Sequence, residues 1–264
     1  MKNNSKVIVI NYADPPYEAA RRLNTLTAYH NGADIVREFR KQDIDQDFYD
    51  RNKKILSCSR GGGLWLWKPY IVNKTMKEAN EDDWIIYSDS GTYFRKNIKK
   101  YIGRLEDKGY DSVFQETRFR ESAYTKRLTF ITMNCDEGKY TDSKQCAATA
   151  FIMQNNIENR ELIAQWLLYT QREELLAHTK MEDSYENYPD YIEDREDQSI
   201  LSLLLKEYNK PIGMIFRDIL FPVKINIILT YHHTKCGSVS RAFIYSIERW
   251  TGVLSDMVKQ ISKE

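Results

Sequence analysis

The stretch Glu81-Asp82-Asp83-Trp84-Ile85-Ile86-Tyr87-Ser88-Asp89-Ser90-Gly91 does most to limit the folds open to this chain. Its apolar run has strand length, is rich in β-branched and aromatic residues, and lies between acidic residues and a Ser/Gly turn. An unbroken run of this kind suits a central strand buried on both faces, in a sheet covered by helices. Ligands in such sheets sit beyond the carboxyl ends of the strands. Asp89 stands at that end, and Gly91 lets backbone come close to whatever Asp89 touches. Capping of the following turn is the other use open to Asp89.

The remaining pattern alternates strands with helices. Lys6 to Tyr12 reads as a first buried strand, ended by Asp14-Pro15-Pro16. Ala19, Leu23, Leu26 and Tyr29 recur at helical spacing, and Asn31-Gly32 ends that helix before a strand at Ile35 to Phe39. Asp43 to Ile55 has the acidic first turn of an amphipathic helix. A helix near Asn97 to Lys108, strands at Asp111 to Gln115 and Ala147 to Met153, and a helix over Glu158 to His178 follow, the last with Leu162, Ile163, Trp166, Leu167 and Tyr169 inward. Glu116 to Lys144 lacks any period and reads as an irregular lid or binding insertion. Met181 to Glu196 is an acidic loop. It leads into a helix with Asp197 and Gln198 near its first turn, where capping and catalysis are both open roles for Asp194 and Asp197. Strands at Ile212 to Phe216 and Ile225 to Thr230 and an amphipathic helix over Ser246 to Ile261 complete the reading. The fold class expected is α/β, with a mixed, mostly parallel central sheet flanked by helices.

The most unusual composition lies in Ser57-Cys58-Ser59-Arg60-Gly61-Gly62-Gly63-Leu64-Trp65-Leu66-Trp67-Lys68-Pro69-Tyr70. Three glycines give a mobile or tightly turned loop, and Pro69 is placed to open a helix through Met76. With Arg60 and Lys68 beside it, that helix start suits a phosphate group.

Composition narrows the function classes. Lys+Arg 39 against Asp+Glu 38 leaves a net charge of +1, so no global field draws nucleic acid or an anionic membrane. Four scattered cysteines without a CxxC pair fit reduced thiols rather than a zinc site. Polar Met1 to Lys6 leaves no room for a signal peptide, and no run approaches the ~18 apolar residues of a membrane span, so a cytoplasmic protein is expected. Aromatics at 12%, with 18 Tyr, imply stacking surfaces or dense core packing.

Gly63-Leu64-Trp65-Leu66-Trp67-Lys68-Pro69-Tyr70-Ile71, Ile86-Tyr87-Ser88-Asp89-Ser90-Gly91 and Arg195-Glu196-Asp197-Gln198-Ser199-Ile200-Leu201 together resemble bacterial GT-A-type glycosyltransferases of surface-polysaccharide (capsule or O-antigen) assembly. The resemblance implies a single GT-A-like, Rossmann-related domain over 1–264. Its donor half would span about 1–115, its acceptor half about 116–230, and its tail 231–264. It implies transfer of a sugar from a nucleotide-sugar donor, a UDP-sugar by preference, to a hydroxyl of a glycan or lipid-linked glycan, with peripheral membrane association at the inner face of the cell membrane.

In that family a strand ends in a D-x-D motif that binds a divalent cation, Mn²⁺ or Mg²⁺, together with the donor. Asp89 matches the first Asp, whereas Gly91 replaces the second. By the same resemblance, His232 or His233 would complete the metal site. The alternative is catalysis without metal, with Arg60, Lys68 and Lys235 supplying positive charge. Asn11 and Tyr12 would face the nucleoside, Lys68 the diphosphate, and Asp89 with Ser90 the metal or ribose. Asp197 and Gln198 would face the reacting centre, Gln198 as in retaining enzymes or a carboxylate such as Asp197, Glu193 or Asp194 as the base of an inverting one. Two readings from other classes remain beside this one: a nucleotide-binding module without activity, prompted by Gly91, and a protein-interaction scaffold built on the Trp/Tyr-rich loops.

Overall fold

A computed structural model of the chain describes residues 5–181 and 184–213. The sequence elements predicted at 214–264, including His232, His233 and Lys235, lie outside the described residues. Six strands form one sheet: β1 (Val7–Tyr12), β2 (Ile35–Phe39), β3 (Trp84–Ser88), β4 (Ser112–Arg120), β5 (Lys144–Gln154) and β6 (Ile212–Gly213), in the order β2-β1-β3-β5-β4-β6. β1 runs parallel to β2 and β3, and β4 parallel to β6, while β5 is antiparallel to both of its neighbours, β3 and β4. The central sheet is thus mixed and mostly parallel.

The alternation of side chains along each strand sorts the core into two layers. Ile8, Ile10, Tyr12, Ile85, Tyr87, Phe151 and Met153 meet three long helices: α2 (Trp67–Glu78), α4 (Ile157–Thr170) and α5 (Glu196–Glu207). Val7, Val9, Trp84, Ile86 and Ile152 face α1 (Glu18–His30) and α3 (Ile98–Glu106). Ile98, Tyr101, Ile102 and Leu105 are buried at helical spacing along α3, and Asn97 caps its start by accepting from the Lys100 amide. Asn156 does the same for α4. Trp84 and Trp166 are fully buried, and a side chain of that size adds at least ~1.5–3 kcal/mol on burial. The aromatic content serves this core: Tyr87 stacks on Phe151 and Phe48 on Tyr70. Among the described residues no helix is long and apolar enough to cross a membrane.

Four segments differ from the sequence reading. Asp43–Ile55 is not one helix but two short ones, Gln46–Arg51 and Lys53–Leu56, broken at Asn52, whose side chain donates back to the Phe48 carbonyl. Glu116–Lys144 is not an irregular lid: β4 runs on to Arg120, and three helical turns, Glu121–Tyr124, Arg127–Thr132 and Gly138–Thr141, lead into β5. Leu26 and Tyr29 of α1 are about half exposed, because the inward face of that helix carries Arg21, Asn24 and Thr27 instead. The helix predicted over Glu158–His178 is α4 followed by a separate turn at Glu173–Leu176.

Candidate active site

The glycines form a tight turn. Gly61, Gly62, Gly63, Leu64 and Trp65 all have positive φ, at 59°, 61°, 108°, 51° and 58°, so the chain makes a left-handed turn immediately before α2. Only glycine enters that region without cost, and Leu64 and Trp65 carry strain there. A Cβ on Gly63 would stand 2.8 Å from the Leu56 Cα, which leaves no room for a side chain. The turn packs the Trp67 ring onto Tyr12, with centroids 3.8 Å apart and planes at 13°, and the Trp67 indole donates to the Gly61 carbonyl at 2.8 Å. Trp67 so fixed places the next residue, Lys68, against the carboxyl edge of the sheet.

Lys68 is buried there among oxygens. Its Nζ donates to the Ala148 carbonyl of β5 at 3.3 Å, and lies 3.3 Å from Asp197 Oδ2 and 3.7 Å from Asp89 Oδ1. The Tyr87 ring adds an aromatic face 5.3 Å away. Burial disfavours the ammonium, yet Asp197 and Asp89 outweigh that cost and hold Lys68 above the usual lysine range, hence charged.

Asp89 follows β3 directly. Its amide donates to the Thr149 carbonyl, the Thr92 amide donates to its carbonyl, and Tyr87, two residues back on the same face, donates to Oδ1 at 2.6 Å. The carboxylate therefore faces Lys68 and Tyr87 rather than capping the turn, and with 29% of its side chain exposed it is the most open member of the cluster.

Asp197 enters from the first turn of α5, where the helix dipole favours negative charge. The Trp166 indole of α4 donates to its carbonyl at 2.8 Å, which ties the two helices together. Burial pushes its carboxyl up to about 7 against the pull of Lys68, and Glu196 and Asp89 push in the same direction as burial. Its Oδ2 has no hydrogen-bond partner among the described residues beyond the ion pair. Glu196, one residue earlier, has φ of 44° and accepts from the Arg60 guanidinium at 2.6 Å. That bond links the left-handed turn to the start of α5.

The structure thus brings Lys68, Asp89 and Asp197 to one point and sets Arg60 beside it through Glu196. Gln198 lies next to them with both ends of its amide engaged: Oε1 accepts from the Ala148 amide and Nε2 donates to Gln145. Ser90 is buried in the turn. Asn11 and Tyr12 point to opposite faces of the sheet, as neighbours on a strand must. Asn11 donates to Asn24 and Thr25 of α1, part of a buried polar layer with Ser88 and Thr92. Tyr12 is buried under Trp67 with its hydroxyl on Asp14, so its ring belongs to the core. Of the other carboxylates, Glu193 is exposed, whereas Asp194 is half-buried with its Oδ2 out of solvent and its Oδ1 receiving the Lys126 amide and the Ser199 hydroxyl 3.0 Å away.

Sequence reasoning missed the Glu196, Tyr87 and Ala148 contributions. Only Tyr87 carried a signal, its two-residue spacing from Asp89.

A divalent cation takes about six or more hard oxygens. Among the described residues no group of three His, Cys, Asp or Glu could hold one. Within the cluster Asp89 is the more open of the two carboxylates, and an ammonium on the same carboxylate would repel a second cation by several kcal/mol. The described residues do not fit a metal site by themselves.

No family profile and no curated protein sequence matches the chain. Among solved structures the chain is similar to the glycosyltransferase GlyE of Streptococcus pneumoniae, at 14% identity over 97% of this chain and 64% of that one, with a TM-score of 0.47. It is also similar to mouse xyloside xylosyltransferase 1, at 9% identity over 80% and 84% of the two chains and a TM-score of 0.42. A third similar structure is the 4-diphosphocytidyl-2C-methyl-D-erythritol synthase of Anaerococcus prevotii, at 8% identity, 94% and 97% coverage and a TM-score of 0.41. The mixed, mostly parallel sheet flanked by helices rests on this chain's own strand pairings.

Proposed function

We propose that the chain is a glycosyltransferase that moves a sugar from a nucleoside diphosphate donor, a UDP-sugar, onto a hydroxyl of a glycan or lipid-linked glycan in surface-polysaccharide assembly. The observation that carries this reading is the buried Lys68 ammonium held between Asp89, at the carboxyl end of a central strand, and Asp197, at a helix start. That edge is where α/β sheets bind ligands, and a fixed cation there answers the charge of a diphosphate. In the proposed step the bond from the anomeric carbon to the diphosphate oxygen breaks, and the leaving group takes the electron pair opposite Lys68. The acceptor oxygen bonds to the anomeric carbon, and its proton passes to Asp197. A carboxyl raised to about 7 by burial is matched to that proton transfer near neutral pH. Asp89, the open carboxylate, faces the donor ribose. Gln198 positions the cluster by holding Ala148, whose carbonyl in turn holds Lys68.

Gly91, standing where the family pattern has a second carboxylate, favours one other reading, a module that binds nucleotide without transfer. Thermal unfolding with a panel of nucleoside diphosphates separates the cases. A ligand near 100 times its dissociation constant adds about 2.7 kcal/mol of stability. UDP is expected to raise the midpoint and adenosine diphosphate to leave it unchanged; no response to any nucleoside diphosphate sinks both nucleotide readings.

A further inference from the structure

We infer that Lys68 occupies the cation position of this site, so that the chain binds its nucleoside diphosphate without a divalent metal ion. The inference rests on the glycosyltransferase reading for the identity of the ligand, but its geometry stands on its own. Around Nζ lie three oxygens, Asp197 Oδ2 and the Ala148 carbonyl at 3.3 Å and Asp89 Oδ1 at 3.7 Å. Two carboxylates and a carbonyl converging on one point are the hard donors a divalent cation takes, and here an ammonium already fills the point they define. Each element that supplies the cluster is fixed independently of any ligand. The left-handed turn and the Tyr12–Trp67 stack seat Lys68. The Thr149 carbonyl holds the Asp89 amide. The Trp166 indole holds the Asp197 carbonyl. Among the described residues Asp197 Oδ2 is buried with the Lys68 ammonium as its ion-pair partner at 3.3 Å. Gly91 adds no further carboxylate. The cation at that point is a fixed part of the chain rather than a dissociable ion.

The test is isothermal titration of the full chain with UDP, once in excess EDTA and once in Mn²⁺, together with a titration of Mn²⁺ alone into the wild type and into Asp89→Asn. The inference expects UDP affinities within about twofold of each other in the two buffers, well under the tenfold that 1.4 kcal/mol would give. It also expects no Mn²⁺ binding that depends on Asp89. Lys68→Met should weaken UDP at least about tenfold, the scale of one lost charge-assisted contact, while unmasking Mn²⁺ binding by Asp89 and Asp197. UDP binding that requires Mn²⁺, or Mn²⁺ binding to the wild type that Asp89→Asn abolishes, overturns the inference, and neither measurement depends on the Lys68 variant folding. No UDP binding in either buffer overturns the glycosyltransferase reading instead, and the Mn²⁺ titrations then still decide whether Lys68 holds the cation position.

Discussion

Lys68 is the residue whose removal leaves the most behind. Without its ammonium, Asp89 and Asp197 face each other with no cation between them, and breaking a buried ion pair by deleting one partner costs about 3–5 kcal/mol. Lys68→Met should lose stability on that scale in urea denaturation; a variant as stable as the wild type contradicts the geometry. Asp194 offers a pH test outside the proposed chemistry. Burial pushes its carboxyl up to about 7 from an ordinary 3.8, with Lys126 and Ser199 opposing and Glu196 reinforcing the shift. Between those values the native state holds a proton that the unfolded chain has released, so the contribution of Asp194 is complete at low pH and is lost as pH rises towards 7. Asp194→Asn removes the titration. The wild type should therefore weaken relative to that variant by up to about 1.4 kcal/mol per pH unit between pH 5 and 7, and a constant difference argues against the buried carboxyl. Some of this was legible in the sequence. The spacing of Tyr87 and Asp89 puts both on one face of a strand, and the same rule forbids Asn11 and Tyr12 from sharing a face. Arg60 and Glu196 are far apart in the chain, so no local pattern could reveal their ion pair.

At the scale of elements, the left-handed turn is what aims Lys68. Three consecutive glycines read plainly as a turn, but its continuation through Leu64 and Trp65 did not, because neither residue favours positive φ. Tertiary packing of Trp67 on Tyr12 overrides that preference. Two substitutions separate this turn from ordinary glycine effects. Gly63→Ala enters a φ of 108° against the Leu56 backbone and should cost at least ~1–2 kcal/mol, with a weakened response to UDP as Lys68 shifts. Gly103→Ala lies within α3, where a Cβ meets nothing within 4 Å, and should stabilise the fold by ~0.5–1 kcal/mol. Equal effects from the two would remove any special role for the turn. The start of α5 was legible from its acidic first turn and apolar continuation, whereas the ion pair of Asp197 with Lys68 needed the position of α2.

Over the whole molecule, the site exists because three helices on one face of the sheet converge on its carboxyl edge. β5 is the exception among the strands, antiparallel to both neighbours, and it brings Ala148 and Thr149 to that edge. Its direction was not legible: a buried run such as Cys146 to Met153 reads the same either way, the segment from β4 is long enough for either direction, and only the pairing with β3 and β4 decides it. What was legible was the class of sheet, since unbroken apolar strands require cover on both faces. The central claim is catalytic, and release of UDP from UDP-sugars by the wild type and by folded Asp197→Asn tests it most directly. The account predicts donor-dependent UDP release that falls at least about a hundredfold in the variant, the scale of a lost general base. Release at the wild-type rate from Asp197→Asn, or none from any UDP-sugar with the wild type, would contradict it.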